Sequence, residues 1–139
     1  MDMETAIADT GFVVALANRT DSRHAEVRPI YTQQQRILLP QTVLVEVAYL
    51  LGRDAGVKIV VAFLQGLPAS RFTLTELTDQ DIARTAEILE RYADSRIDFV
   101  DATVMAVAER LEIHTVLTID QRDFRLFRPK HCESFTLLP

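Results

Sequence analysis

Short apolar runs recur along this chain, each closing on a polar residue or a proline and each separated from the next by stretches with helical spacing. The runs are Thr5–Ala8 (TAIA), Arg36–Pro40 (RILLP), Arg71–Leu77 (RFTLTEL), His114–Thr118 (HTVLT) and Phe135–Leu138. TAIA and the apolar part of RILLP are too short for helices and do not alternate, the pattern of strands covered on both faces. RFTLTEL alternates and reads as a half-buried strand. Strands joined through helices run mainly parallel, because the crossover returns the chain to the edge it left. The expected fold is therefore α/β, a three-layer sandwich with a mainly parallel central sheet flanked by helices.

Between the strands, Thr10 opens a helix whose apolar face is Phe12, Val13, Leu16 and Ala17. A second helix is expected from Ser22 to Gln35, with Ala25, Ile30 and Tyr31 inward and Pro29 kinking or interrupting it. Thr42 stands where it would cap the helix carrying VLVEVAYLLGR. That segment is apolar nearly all round, so it is buried on more than one side or meets another chain. Val57–Gln65 forms another strongly apolar helix, closed by Gly66 and Pro68. Thr78 with Asp81 has the form of a capping box, and Ile82, Ala86, Leu89 and Tyr92 or Ala93 follow at helical spacing. Phe99–Glu112 reads as a helix buried along Ala102, Met105 and Ala106. Pro129 keeps the segment before the last strand irregular. With no internal repeat or linker, residues 1–139 are expected to form one domain.

A chain of 139 residues with 48% apolar and 25% charged residues has the balance of a soluble globular protein with a sizeable core. The net charge of -5 speaks against non-specific nucleic-acid binding only if the acids are evenly spread, since acids gathered on a cation are locally neutralised. Thirteen of the fifteen basic residues are Arg, the better fork for phosphate. Cys132 is the only cysteine, which excludes an intramolecular disulfide and a multi-thiolate zinc site and fits a reducing cytoplasm. His24, His114 and His131 show no metal-ligand spacing. The start MDMETAIAD is acidic where a secretory signal is basic, and Glu46 or Gln65 breaks the longest apolar stretches well short of a membrane span. A soluble, cytoplasmic protein is expected.

The acids have a common address. Asp9 ends the first strand and Asp120 lies just past the fourth, so both reach the carboxyl edge of the sheet, where such folds bind ligands. Glu46 falls near the start of the helix after the second strand, and Asp101 in the first turn of the helix before the fourth. All four face one crevice, where mutual repulsion raises their pKa values unless a cation joins them. Oxygen ligands without Cys or His suit Mg²⁺ or Mn²⁺ better than zinc. Each acid also has a plainer reading. Asp9 is a good helix N-cap, Glu46 could pair with an Arg, and Asp98 with Asp101 could serve only the start of their helix. Asp98 is assigned to that capping role. Asp120 and Asp123 are ordinary loop residues; Asp120 is the better ligand, Asp123 a cap or supporting group. Thr10 and Thr118 place hydroxyls beside Asp9 and Asp120, suited to holding a carboxylate or a water.

The motifs ADTGFVVAL, LPQTVLVEVAYLL, RIDFVDATVMAVAERL and VLTIDQRDF, in this order, resemble the PIN-domain family, and within it the toxin ribonucleases of VapBC toxin–antitoxin pairs; the tail FRPKHCESFTLLP is similar too. The resemblance implies an acidic catalytic and metal site of Asp9, Glu46, Asp101 and Asp120, supported by Thr10 and Thr118. It implies a Mg²⁺- or Mn²⁺-dependent endoribonuclease, a cognate antitoxin, a homodimer and no membrane. Arg19, Arg122 and Arg125 are candidates for RNA backbone contact. Alternatives are an RNA-processing nuclease of the same family without an antitoxin, a non-catalytic metal-binding module, and a receiver-like signalling domain. The last would need a phosphoacceptor at the tip of the third strand, where this chain has only Asp79 beyond it.

Overall fold

A computed structural model describes residues 5–139; the acidic start at residues 1–4 lies outside it. Five strands, β1 (Thr5–Ala8), β2 (Arg36–Pro40), β3 (Phe72–Thr75), β4 (Thr115–Leu117) and β5 (Thr136–Leu138), form one sheet in the order β3-β2-β1-β4-β5. Every neighbouring pair is parallel. Seven α-helices among the described residues connect and cover the strands: α1 (Thr10–Ala17), α2 (His24–Gln33), α3 (Gln41–Asp54), α4 (Val57–Gly66), α5 (Asp79–Arg91), α6 (Phe99–Arg110) and α7 (Arg122–Leu126). The chain builds outward from β1 to β3, then crosses to the other side of β1 to lay down β4 and β5. That reversal puts a topological switch between β1 and β4. Receiver domains use the order 2-1-3-4-5, so the receiver-like reading falls on topology.

The burial explains why the strands are short and apolar. β1 is buried throughout, as are Ile37, Leu38 and Leu39 of β2, and α6 is buried from Ala102 to Ala108. The core closes with Phe12, Phe124 and Phe127. The edge strand β3 is less covered than its alternation implied: Phe72 and Thr75 are half-buried, while Thr73 and Leu74 are exposed, Leu74 by 52%.

Several local expectations need correction. Pro29 does not interrupt α2, which runs unbroken from His24 to Gln33; one missing N–H is a small loss in a short helix held by tertiary contacts. Its buried residue is Val27, and Ala25 is exposed. Thr42 does not cap α3. The helix starts at Gln41 after Pro40, and the Thr42 hydroxyl meets that of Thr103 at 2.7 Å instead. On α5 the buried face is Asp81, Thr85 and Ile88 rather than Ile82 and Ala86, with Ile82 53% exposed. The reason is ionic. Asp81 receives the Thr78 N–H in the capping box and both Nε and Nη2 of Arg110 at 2.9 Å, so the helix turns its acid inward. Finally, α7 occupies part of the segment expected to be irregular.

Candidate metal centre

Asp9 follows the last residue of β1, and its backbone N–H still continues the sheet by donating to the Leu117 carbonyl of β4. The chain then turns into α1, and Asp9 Oδ1 accepts the Thr10 N–H at 2.7 Å. Capping and site duty are therefore combined in one residue. Asp9 Oδ2 lies 3.1 Å from the hydroxyl of Thr118, just past β4, so this contact spans the switch between the two strands. The same hydroxyl is 3.0 Å from the Asp120 carbonyl, and its single proton serves both acceptors. At 7% exposed, Asp9 is a buried carboxylate without a cationic partner among the described residues.

Asp101 enters from the first turn of α6, whose N-terminus Asp98 caps by accepting the N–H groups of Val100 and Asp101. Its carboxyl lies within hydrogen-bonding reach of both Asp9 and Asp123. Burial first, then the charges and contacts of Asp9 and Asp123, push Asp101 up to about 10. Asp9 is raised as well; burial dominates, Glu46 adds repulsion through space, and contacts with Asp101, Thr10 and Thr118 pull the other way. Glu46 is half-buried on α3, facing Asp9 at a distance rather than in contact. Without a cation, this pocket holds at least one extra proton.

Asp123 is 8% exposed, and both of its oxygens are engaged: Oδ2 accepts the Asp98 N–H at 3.1 Å and Oδ1 accepts Arg122 Nη1 at 2.7 Å. It ties the start of α6 to α7 and braces Asp101. Arg122 also reaches the Ser95 carbonyl at 2.6 Å. Asp120 sits on the exposed rim, where its carboxylate accepts only a long 3.4 Å contact from the Arg122 N–H. Arg125 is bonded to Gln121, and Arg19 lies away from the acids in a groove of α1, α2 and α4. The brace through Arg122 had no sequence signal beyond its adjacency to Asp123.

The donors fit a hard divalent cation. They are all oxygens, two of them carry raised pKa values that a positive charge would relieve, and the Thr10 hydroxyl is buried with no hydrogen-bond partner beside Asp9. The fold brings only Asp9 and Asp101 of the four predicted acids into contact; Glu46 acts on Asp9 through space and Asp120 lies on the exposed rim, so among the described residues the four do not close into one ligand cluster.

One cluster runs against the sequence reading of the histidines. His114, His131 and Cys132 each offer a ligand atom within 4.8 Å of the others. They are brought together by the pairing of β4 with β5, which sequence spacing does not encode.

The PIN domain family model matches residues 6–128. Ribonuclease VapC26 of Mycobacterium tuberculosis is 30% identical over 134 residues, covering 96% of this chain and 99% of that protein. The 23S rRNA-specific endonuclease VapC20 of the same species is 30% identical over 114 residues, 81% of this chain and 86% of that one. Its crystal structure, described as a Sarcin-Ricin loop cleaving toxin, superposes with a TM-score of 0.80 at 24% identity, covering 87% and 94% of the two chains. VapBC2 from Rickettsia felis, bound to a promoter DNA fragment, superposes at 0.69 with 14% identity and 96% of each chain covered.

Proposed function

Since this chain belongs to the PIN-domain family, we propose that it is a Mg²⁺- or Mn²⁺-dependent endoribonuclease of the cytoplasm, the toxin of a toxin–antitoxin pair. The observation that carries this reading is the buried acid pair Asp9 and Asp101 at the switch between β1 and β4, raised in pKa and without a cationic partner. A divalent cation held there supplies Lewis-acid polarisation of the scissile phosphate and activation of the attacking water. Asp9 is fixed by the Thr10 N–H and the Thr118 hydroxyl, so its remaining lone pairs stay aimed into the pocket. Asp101, braced by Asp123, would hold a cation beside Asp9 as a carboxylate. Glu46 and Asp120 orient water and phosphate from the rim, where an RNA backbone gains access.

The relatives' names support the substrate class: a ribonuclease and an rRNA-specific endonuclease. Toxin–antitoxin assemblies among the similar structures support a protein partner. On this chain the partner finds apolar surface on α3 and α4, where Val45, Tyr49, Val57, Val61 and Leu64 are exposed. The groove of about 860 Å³ bounded by α1, α2 and α4 adjoins it. The homodimer implied by the resemblance would draw on the same kind of surface.

Purified protein with Mn²⁺ should cleave RNA, and Asp9→Asn should abolish cleavage while the protein stays folded. Undiminished cleavage by the variant would exclude this pocket. The partner encoded beside the gene should silence the wild type, and Tyr49→Asp should cut and escape that silencing; a partner that still silences it docks elsewhere.

A further inference from the structure

We propose that His114, His131 and Cys132 form a second metal site, one that takes Zn²⁺ or a similar borderline-soft divalent ion and staples the segment entering β5 to the start of β4. The three ligand atoms lie within 4.8 Å of one another, and the two imidazole rings are centred 5.2 Å apart. Donors around tetrahedral zinc are separated by about 3.5 Å, so the site closes by roughly 1 Å on loading.

A second observation on His131 points the same way. Its Nε2 lies 2.7 Å from the Ile113 carbonyl, which only accepts, so Nε2 carries the proton of the neutral ring and Nδ1 the lone pair. That Nδ1 is buried and has no hydrogen-bond partner. A buried acceptor left unmet is costly, and a ring N–H given to a backbone carbonyl is the outer contact that orients a metal-binding imidazole. Cys132 Sγ, within 4.8 Å of a ring nitrogen of each histidine, completes a set of two nitrogens and a sulfur; its neighbour in the metal-free fold is the protonated Nε2 at 3.6 Å, so loading turns the thiolate toward Nδ1. Such a set selects zinc over the hard ions that suit the acidic pocket.

The two sites lie at opposite edges of the sheet. Asp9 follows the carboxyl end of β1, whereas His114 precedes β4 and its carbonyl accepts the Thr136 N–H at the start of β5. β5 is a three-residue edge strand reached through a segment with little regular structure. An ion joining His114 to residues 131 and 132 anchors it. Burial, with the Glu109 charge adding to it, keeps Cys132 a thiol before loading; forming the sulfur–metal bond therefore releases one proton to solvent.

The test is Co²⁺ titration of the reduced full chain in excess Mg²⁺, which occupies the acidic pocket. One equivalent should bring up a near-ultraviolet thiolate-to-cobalt band, displaced by Zn²⁺, and Zn²⁺ should raise Tm. Cys132→Ser should lose the band and the Tm gain, His114→Gln should weaken binding at least about tenfold, and Asp9→Asn should keep both. Far-UV circular dichroism confirms that each variant is folded. Absence of the band in the wild type, or equal Zn²⁺ affinity of the wild type and Cys132→Ser, overturns the site. A band without a Tm gain overturns the staple.

Discussion

Thr118 shows how one hydroxyl positions a buried charge. It gives its proton toward Asp9 Oδ2 and the Asp120 carbonyl, locking the end of β4 to the end of β1 and fixing the turn that carries Asp120. Thr118 is fully buried, so its methyl packs as the valine methyl would. Thr118→Val thus removes the hydroxyl and little else. It removes the Thr118 donor from Asp9 Oδ2, and outer contacts of this kind are worth about 10- to 100-fold in metal affinity or activity. RNA cleavage should fall by about that factor with a raised Mn²⁺ requirement, and Thr118→Ser should recover most of it. Equal losses for Val and Ser would assign Thr118 to packing instead.

At the scale of elements, legibility followed the strength of the local signal. The inner strands β1 and β2 were readable because burial on both faces leaves nothing but short apolar runs, and the capping box because Thr78 and Asp81 act within one turn. The approach of Asp9 to Asp101 was readable because a strand end locates the first and a helix start the second, whereas the expected convergence of Glu46 and Asp120 on them depends on side-chain reach that spacing does not encode. What periodicity misread was the inner face of α5, since it counts Asp81 as polar and cannot see Arg110, 29 positions away. The five-residue α7 is too short to show a period, and the His114–His131–Cys132 cluster exists only through strand pairing. The α5–α6 clamp carries its own prediction. Burial alone would raise Asp81, but Arg110 and the Thr78 contacts outweigh it and hold the carboxylate below its usual range. With the Asp81 side chain 2% exposed, Arg110→Ala leaves a buried charge unpaired and should cost about 3 kcal/mol in urea unfolding. A loss under 1 kcal/mol would mean that the Thr78 contacts alone suffice.

Over the whole molecule, α3 carries both Glu46, whose charge acts on Asp9, and the exposed Val45 and Tyr49, so a protein docked on this helix would lie beside the acidic pocket. The pocket is where the fold is least at ease, and that makes stability depend on pH and metal together. Asp101 is raised to about 10, so between about pH 4 and pH 10 the folded chain binds a proton that the unfolded chain has released. More protons on the folded state mean that stability falls as pH rises through this window. Asp9 shifts in the same direction. Asp81 is lowered instead, so its contribution is present above about pH 4 and lost only in acid, below the window that matters. Metal-free protein should therefore melt at a lower temperature at pH 9 than at pH 5. Because a cation displaces the proton, Mg²⁺ or Mn²⁺ should raise Tm more at pH 9 than at pH 5. Asp101→Asn has no proton to lose, so it should flatten the metal-free profile and shrink the metal's gain. Melting curves at both pH values, with chelator and with Mn²⁺, check all three expectations. A metal-free Tm that rises from pH 5 to pH 9 in the wild type would show that Asp101 is already ionised in the fold, and that the pocket carries its charge without an ion.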